Sequence, residues 1–144
     1  MFPSRTDTRC KSACDYRKAT LFKYSGAGIL HYDKDWLVLR VHPSIGQYYA
    51  AWVSKLIGKK ISMPLHSWHV TCVAGKYNDV TKHKKWGKYQ DKKIDFAYSP
   101  VIMTDGKYFW LPVQCRFLER VRLELGLTKC PFHPWHMTIG FLNS

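Results

Sequence analysis

The chain has 144 residues, 46% of them hydrophobic, which is long enough for one well-buried core and too short for two ordinary domains. No run of about 18 apolar residues occurs, and the first residues lack the apolar stretch of a secretory signal. We therefore expect a cytoplasmic protein that does not enter a membrane. The formal net charge of +13 predicts an anionic partner or substrate, because such a surface gathers anions.

The cysteines do not follow a pattern typical of a disulfide framework or of a four-thiolate zinc site. Their number is odd and no short spacing is repeated. We expect free thiols in a reducing compartment at all five positions, which are Cys10, Cys14, Cys72, Cys115 and Cys130.

A hairpin and a helix are the first predicted elements. The β-rich segments AGILHY and DWLVLRV are separated by Asp33, Lys34 and Asp35, which is typical of a hairpin. The segment PSIGQYYAAWVSKLIG then has apolar residues at helical spacing, with Ser44 as the expected N-cap and Gly58 at the end. The apolar segment WHVTCVA follows and predicts a buried strand.

The second half of the chain repeats this order. KIDFAYSPVIM and KYFWLPV predict strands joined by a turn at Thr104, Asp105 and Gly106. CRFLERVRLELG predicts an amphipathic helix that ends at Gly126, and WHMTIGF predicts a last strand. The order of strands, helix and strand therefore occurs twice.

A short phrase is repeated as well, because HSWHVTCV and HPWHMTIG share His-x-Trp-His-x-Thr at positions 67 residues apart (136 − 69). Side chains two apart on a strand share a face, so His69 and Thr71 project together, as do His136 and Thr138. Two such strands side by side would aim two imidazoles and two hydroxyls into one cleft. One imidazole can remove a proton, the other can donate one, and the hydroxyls can hold phosphate oxygens. This chemistry needs no metal and no other cofactor.

The remaining members of the phrase have structural interpretations. Trp68 and Trp135 point away from the His-Thr face, so we expect them in the core. His66 and His133 lie three residues before the second histidine of each phrase and would also face away from it on a strand. We interpret them as structural or surface residues.

Zinc is the chemical alternative, since two triplets have ligand residues spaced by three. Spacing by three on an extended strand alternates faces, so neither triplet converges on one ion unless the strand is broken. A zinc site would also leave both threonines without a role. We expect no metal at these triplets, which are His66, His69 and Cys72, and Cys130, His133 and His136.

Two segments concentrate the positive charge. Residues 76–93 hold seven Lys against two Asp, and residues 1–23 hold six Lys or Arg against two Asp. A lysine run alone is ordinarily a solvated surface. Aromatic residues among lysines can instead stack on a nucleobase while the charges hold a phosphate. The candidate substrate-binding residues of this kind are Lys85, Trp86, Lys88 and Tyr89.

The paired HVTC and HMTI strands resemble the two H-x-T motifs of the 2H phosphoesterase superfamily. The resemblance implies an α+β fold, a single bilobal domain with two pseudo-symmetric lobes of antiparallel strands, helices outside and the active-site cleft between the lobes. It covers residues 26–144 and leaves residues 1–25 as a basic N-terminal segment. The catalytic residues that it implies are His69, Thr71, His136 and Thr138.

Within that superfamily, PLHSWHVTCV, WGKYQDKKIDFAYS and RLELGLTKCPFHPWHMTIGFLNS are similar to the small tailed-phage branch that includes the anti-CBASS phosphodiesterases. The resemblance implies a metal-independent hydrolase of 3′,5′ phosphodiester bonds in cyclic di- or trinucleotide immune signals, such as cyclic GMP-AMP. Such an enzyme of a bacteriophage acts in immune evasion in the host bacterial cytoplasm. It needs no cofactor and no obligatory protein partner.

Two alternatives remain open from the sequence. A 2H enzyme that acts on RNA ends, at 2′,5′ linkages or 2′,3′-cyclic phosphates, would use the same four residues. A non-catalytic nucleic-acid-binding module would account for the charge of +13 and for the aromatic residues, but it would not need two His-x-Thr strands.

Overall fold

The structure is a computed structural model that describes residues 22–75 and 79–143. Strands and helices alternate along the described chain in the order that the sequence predicts. A short 3₁₀ helix, Val80–Lys82, lies within the lysine-rich segment. The other elements are β1 (Tyr24–Asp33), β2 (Trp36–Val41), α1 (Pro43–Ile57), β3 (His69–Val73), β4 (Lys93–Tyr98), β5 (Met103–Thr104), β6 (Tyr108–Gln114), α2 (Arg116–Glu124) and β7 (His136–Phe141).

The strands form one antiparallel sheet in the order β4-β1-β2-β3-β7-β6-β5. A further pairing of β4 with β6 closes six of these strands into a barrel, while the two-residue β5 pairs with another stretch of β6. The predicted α+β class with antiparallel strands is confirmed. The strands β3 and β7, which carry the two repeated phrases, are direct neighbours in this sheet.

Local chemistry explains several element boundaries. Lys34 adopts a left-handed conformation (φ 55°) in the tight turn between β1 and β2. The N-cap of α1 is His42 and not Ser44 as predicted, because the Nδ1 atom of His42 accepts a hydrogen bond from the Ser44 backbone N–H. Pro43 then occupies the first helical position, where a missing N–H costs nothing. The helix ends at Gly58 in the left-handed conformation, as the sequence predicts.

Proline also explains a difference in the second half. The predicted strand KIDFAYSPVIM is divided into β4 and β5, and Pro100, which cannot donate to a ladder, lies between them. The turn before β6 and the end of α2 agree with the sequence, since Gly106 (φ 96°) and Gly126 (φ 78°) both adopt left-handed conformations there.

The core lies on one face of the sheet and includes both repeated tryptophans, as predicted: Trp68 is 6% exposed and Trp135 is 1% exposed. The Trp68 indole N–H donates to the Ile139 carbonyl at 2.9 Å, which ties the segment before β3 to β7. Helix α1 packs on the same ring at Gly46, where an added Cβ would lie 2.1 Å from an indole atom. No residue larger than glycine fits at that position without displacing Trp68.

Helix α2 packs behind β3. The Arg122 side chain, which is 1% exposed, donates from Nη1 to the Cys72 carbonyl at 2.8 Å. The Cys72 thiol faces the same helix and donates to the Leu118 carbonyl. Burial raises the pKa of the Cys72 thiol. The face of β3 that carries Cys72 is therefore covered by helix α2.

The structure bears on the N-terminal boundary and on the cysteines. Tyr24 and Ser25, which the resemblance leaves in the N-terminal segment, already belong to β1, and the rest of that segment lies largely outside the described residues. Cys72 and Cys115 are free thiols, but Cys130 is disulfide-bonded, so the expectation of a free thiol is wrong there. Cys10 and Cys14 lie outside the described residues. None of the helices between residues 22 and 143 that the structure describes is long and apolar enough to cross a membrane.

Candidate active site

The two His-x-Thr pairs meet across the β3–β7 ladder. The antiparallel pair Val70↔Met137 sets the register. Counting one residue in opposite directions along the two strands places His69 opposite Thr138, and Thr71 opposite His136. Opposed residues share a face of the sheet, with Cβ atoms about 5 Å apart and diagonal neighbours about 7–8 Å apart. The four residues therefore form one compact group, in which each histidine faces the threonine of the other motif.

Burial alternates along both strands as this register requires. Val70 and Met137 are 0% and 1% exposed and belong to the core. The two histidines and two threonines are half-buried, so they lie on the accessible face. The alternation that the sequence predicts for the two strands is confirmed.

The two imidazoles are held by the same local hydrogen bond, from Nδ1 to the backbone carbonyl two residues upstream. The Nδ1 atom of His69 lies 3.0 Å from the Ser67 carbonyl oxygen, and Nδ1 of His136 lies 2.7 Å from the Pro134 carbonyl oxygen. A carbonyl oxygen only accepts, so each Nδ1 must carry the proton and donate it. With Nδ1 protonated, the lone pair of each neutral ring lies on Nε2, the nitrogen that could exchange a proton with a ligand. The carbonyl two residues upstream fixes the tautomer and the ring orientation in both halves of the chain.

The environment of His69 favours its neutral form. Desolvation by burial is the largest cause that lowers the pKa of His69. The charges of His66 and Arg40 lower it further, while the hydrogen bond to the Ser67 carbonyl opposes these effects. A neutral imidazole with its lone pair on Nε2 is a suitable general base near pH 7.

The threonine hydroxyls are available to a ligand. Neither Thr71 nor Thr138 makes a side-chain hydrogen bond to any other residue in the part of the chain that the structure describes. A hydroxyl can rotate to donate to an oxyanion. Two such donors, one beside each imidazole, can bind the two non-bridging oxygens of a phosphodiester.

Two residues that sequence reasoning missed flank this group on the neighbouring strands. Arg40 of β2 lies opposite His69, and Trp110 of β6 lies opposite Thr138. The row across the sheet is therefore Arg40, His69, Thr138 and Trp110. The Trp110 ring also meets the His136 ring edge-on, with centroids 6.4 Å apart and planes at 68°. No local sequence signal identifies either residue, because a residue lies beside the His-Thr group only if its strand is a neighbour in the sheet and is paired in the right register.

The structure does not bring the aromatic residues of the lysine-rich segment to this group. The half-buried Trp86 packs edge-on against Tyr32 at 4.9 Å. Tyr32 lies opposite the core residue Leu37, whereas Thr71 lies opposite Val38 on the other face. Trp86 is therefore on the core side of the sheet.

The other predicted members of this segment contact helix α2. The Tyr89 hydroxyl donates to Glu124 Oε1 at 2.8 Å, and the Tyr89 ring packs against Phe117 at 5.0 Å. Lys88 Nζ lies 3.8 Å from Glu124 Oε1, and Lys85 is half-buried nearby. These contacts indicate that Lys88 and Tyr89 pack on α2. A role of Lys85, Trp86, Lys88 and Tyr89 in substrate binding stays a prediction. The contacts described for these residues do not include the His-Thr group.

The candidate zinc triplets do not converge. His66 and His133 are exposed and precede their strands, so strand alternation does not apply to them. The Cys72 thiol faces away from His69 toward α2. Among residues 22–75 and 79–143, no group of three or more His, Cys, Asp or Glu side chains is arranged to hold a metal ion.

Comparisons with protein-family models, with curated proteins and with solved structures found no match for this chain. The chemistry of the site must therefore be judged from its own geometry. Two imidazoles whose Nδ1 atoms donate to backbone carbonyls, with two hydroxyls beside them, are groups that can transfer protons on both sides of a tetrahedral anionic group.

Proposed function

We propose that this protein is a phosphodiesterase of the 2H type, which cleaves 3′,5′ phosphodiester bonds in cyclic di- or trinucleotides without a metal ion. The observation that carries the proposal is the register of β3 and β7, which sets His69 opposite Thr138 and His136 opposite Thr71. Acid–base cleavage of a phosphodiester needs two proton carriers on opposite sides of the phosphorus and donors to its non-bridging oxygens. The four side chains supply these groups in one place.

In the proposed reaction, Nε2 of His69 takes the proton from the ribose 2′-hydroxyl as that oxygen attacks the adjacent phosphorus. Thr71 and Thr138 donate hydrogen bonds to the non-bridging oxygens as their negative charge increases. The bond from phosphorus to the 5′ oxygen breaks, and a protonated His136 gives its Nε2 proton to that leaving oxygen. The products are a 2′,3′-cyclic phosphate and a free 5′-hydroxyl. His69 is assigned as the base because its surroundings lower its pKa.

The proposal includes two pseudo-symmetric lobes. It is supported by the repeated connection of the chain, since β1, β2, α1 and β3 in the first half correspond to β4, β6, α2 and β7 in the second. The β3–β7 pair would lie on the pseudo-two-fold axis. Each lobe would then contribute one His-x-Thr pair to the cleft between them.

The cyclic oligonucleotide substrate is supported by the sequence resemblance and by the charge. A net charge of +13 on 144 residues accelerates the encounter with a polyanion. In this proposal the protein destroys the cyclic nucleotide signals of a bacterial defence system in the cytoplasm of the infected cell. The chemistry of the four residues alone is shared with 2H enzymes of RNA ends, so the substrate must be tested directly.

The test is a substrate panel in excess EDTA. Cyclic di- and trinucleotides are compared with 2′,5′-linked oligoadenylate and with RNA that ends in a 2′,3′-cyclic phosphate. A variant with both His69→Ala and His136→Ala is the negative control, and His83→Ala in the lysine-rich segment is the matched histidine control. We expect the wild type and His83→Ala to cleave the cyclic nucleotides, and the double variant not to cleave them. Turnover of RNA ends only would replace the substrate class, and no turnover of any compound would refute the proposed activity.

A further inference from the structure

Arg40 extends the candidate site beyond the two His-x-Thr motifs. It lies opposite His69 on β2, so its side chain shares the accessible face of the sheet, one strand away from the imidazole. Its side chain is exposed, whereas its strand neighbours Leu39 and Val41 are buried in the core. The guanidinium is close enough to His69 for its charge to lower the imidazole pKa.

The Arg40 side chain has no anionic partner among the residues that the structure describes. The ion pairs of the described residues join Lys88 to Glu124 and Lys129 to Glu119. Across residues 22–75 and 79–143, the Arg40 side chain makes no hydrogen bond or ion pair. An exposed arginine without a partner is common on protein surfaces and indicates nothing by itself. Its position beside the proposed base is what requires an explanation.

A cation at this position opposes the proposed chemistry unless an anion joins it. His69 becomes an imidazolium when it takes the substrate proton, and a neighbouring guanidinium disfavours that second positive charge. A phosphate bound at Arg40 would neutralise the guanidinium and remove the repulsion. The planar fork of arginine also suits phosphate, because it can donate two parallel hydrogen bonds.

The position of Arg40 indicates which phosphate this would be. The bond that is cleaved must lie between the two imidazoles, above the β3–β7 seam. Arg40 lies on the far side of His69 from that seam, one strand spacing of about 4.8 Å beyond β3. A group held there is next to the scissile phosphate and is not the scissile phosphate itself.

We propose that Arg40 binds a second phosphate of the substrate, adjacent to the one held between His69 and His136. This inference rests on the proposed phosphodiesterase function and narrows its substrate class. Compounds with two or more phosphates, such as a cyclic dinucleotide, are preferred over compounds with a single phosphodiester. Arg40 is thus a specificity-determining residue on the β2 side of the site.

The experiment compares ligands that differ by one phosphate. A dinucleoside monophosphate is matched with the same compound carrying an added 5′-phosphate or 3′-phosphate, and with a cyclic dinucleotide. Binding of the 2′-deoxy forms is measured by titration calorimetry, and kcat/KM is measured on the ribose forms. The variants are Arg40→Ala, Arg40→Lys and, as an exposed arginine of α2 outside the site, Arg116→Ala.

We expect Arg40→Ala to weaken binding of the two-phosphate ligands by about 10- to 100-fold and of the one-phosphate ligand by less than about 3-fold. Arg40→Lys should weaken binding of the two-phosphate ligands less than Arg40→Ala does, because lysine keeps the charge but lacks the two parallel donors of the guanidinium. Arg116→Ala should not change the binding of either class of ligand. Equal losses for both ligand classes, or no loss for either, would overturn the inference while the wild type still cleaves. If the wild type neither binds nor cleaves any of these compounds, the proposed function fails and the role of Arg40 fails with it.

Discussion

His69 lies directly opposite Thr138 across the β3–β7 ladder, so the imidazole of one motif faces the hydroxyl of the other. The same register sets His136 opposite Thr71. In the proposed mechanism neither motif is a complete half of the site, because the hydroxyl that would donate to a phosphate oxygen lies beside the imidazole of the other strand. Loss of either strand's contribution should therefore disable the whole site.

The first prediction concerns the two histidines. His69→Ala or His136→Ala should each reduce kcat by at least about 100-fold, because each removes one proton-transfer group. Both side chains are half-buried and lie on the accessible face, so the melting temperature should change little compared with the wild type. Single-turnover assays with thermal unfolding as a control measure both effects. Near-normal activity of either variant would contradict the two-histidine mechanism.

The threonines provide a second prediction, which uses shape-matched substitutions. Thr71→Val and Thr138→Val keep the β-branched shape and remove only the hydroxyl donor. Each should lower kcat by about 10-fold or more with a smaller change in KM, because the donor acts mainly on charge that develops in the transition state. Thr→Ser at the same positions should restore most of the rate. If both valine variants retain wild-type kcat, the hydroxyls have only a structural role.

Strand alternation and helix punctuation are local, and the sequence predicts them well. The element order, the end of α1 at Gly58 and the shared face of His69 and Thr71 all follow from residues a few positions apart. The N-cap is an instructive failure: Ser44 is a better capping residue in general, but Pro43 at the first helical position moves the cap to His42.

Strand order and register could not be predicted, because they depend on contacts between distant segments. The sequence gives no local reason for Arg40 to lie opposite His69, or for Trp110 to lie opposite Thr138. Composition alone also does not show how the lysine-rich segment packs. The spacing of Trp86 and Tyr89 among lysines suggests a basic aromatic loop, but Tyr32 and helix α2 provide packing partners that only the fold brings close.

Trp86 gives the third prediction. Its ring packs on Tyr32 on the core side of the sheet, so Trp86→Ala should reduce the free energy of unfolding by about 1–3 kcal/mol and lower the melting temperature. KM and kcat at a temperature where the variant is folded should change less than about 3-fold. Trp86→Phe is the matched control that keeps an aromatic ring. A variant with wild-type stability and strongly raised KM would show that Trp86 instead stacks on the substrate.

The fourth prediction is the pH dependence set by His69. Burial and neighbouring charges lower its pKa from the ordinary 6.5, so the acid limb of kcat/KM should lie below pH 6.5. Removing one of the causes, the Arg40 charge, should move that limb upward in Arg40→Ala. Arg116→Ala should leave the limb unchanged. An acid limb at or above pH 6.5 in the wild type would contradict His69 as the base.

The same shift predicts a stability effect with a definite sign. Between the folded pKa and 6.5, the unfolded chain binds a proton at His69 that the folded chain does not. The free energy of unfolding should therefore decrease as the pH falls below 6.5 through the folded pKa of His69. The stability that is lost at low pH should be fully present above pH 6.5. His69→Ala should remove this part of the pH dependence, which urea unfolding at a series of pH values can measure.

The fifth prediction separates attack by the substrate's own hydroxyl from attack by water. If the ribose 2′-hydroxyl is the nucleophile, an analogue with hydrogen at the 2′ position next to the scissile phosphate should bind and not be cleaved. Two imidazoles acting as base and acid should also give a bell-shaped pH profile, whose two apparent pKa values belong to the pair. EDTA should not change the rate, and the first product should end in a 2′,3′-cyclic phosphate. Chromatography of early time points against synthetic standards identifies that product. Cleavage of the 2′-deoxy analogue at the parent rate would mean that water attacks directly, and His69 would then activate water even though both histidines remain essential.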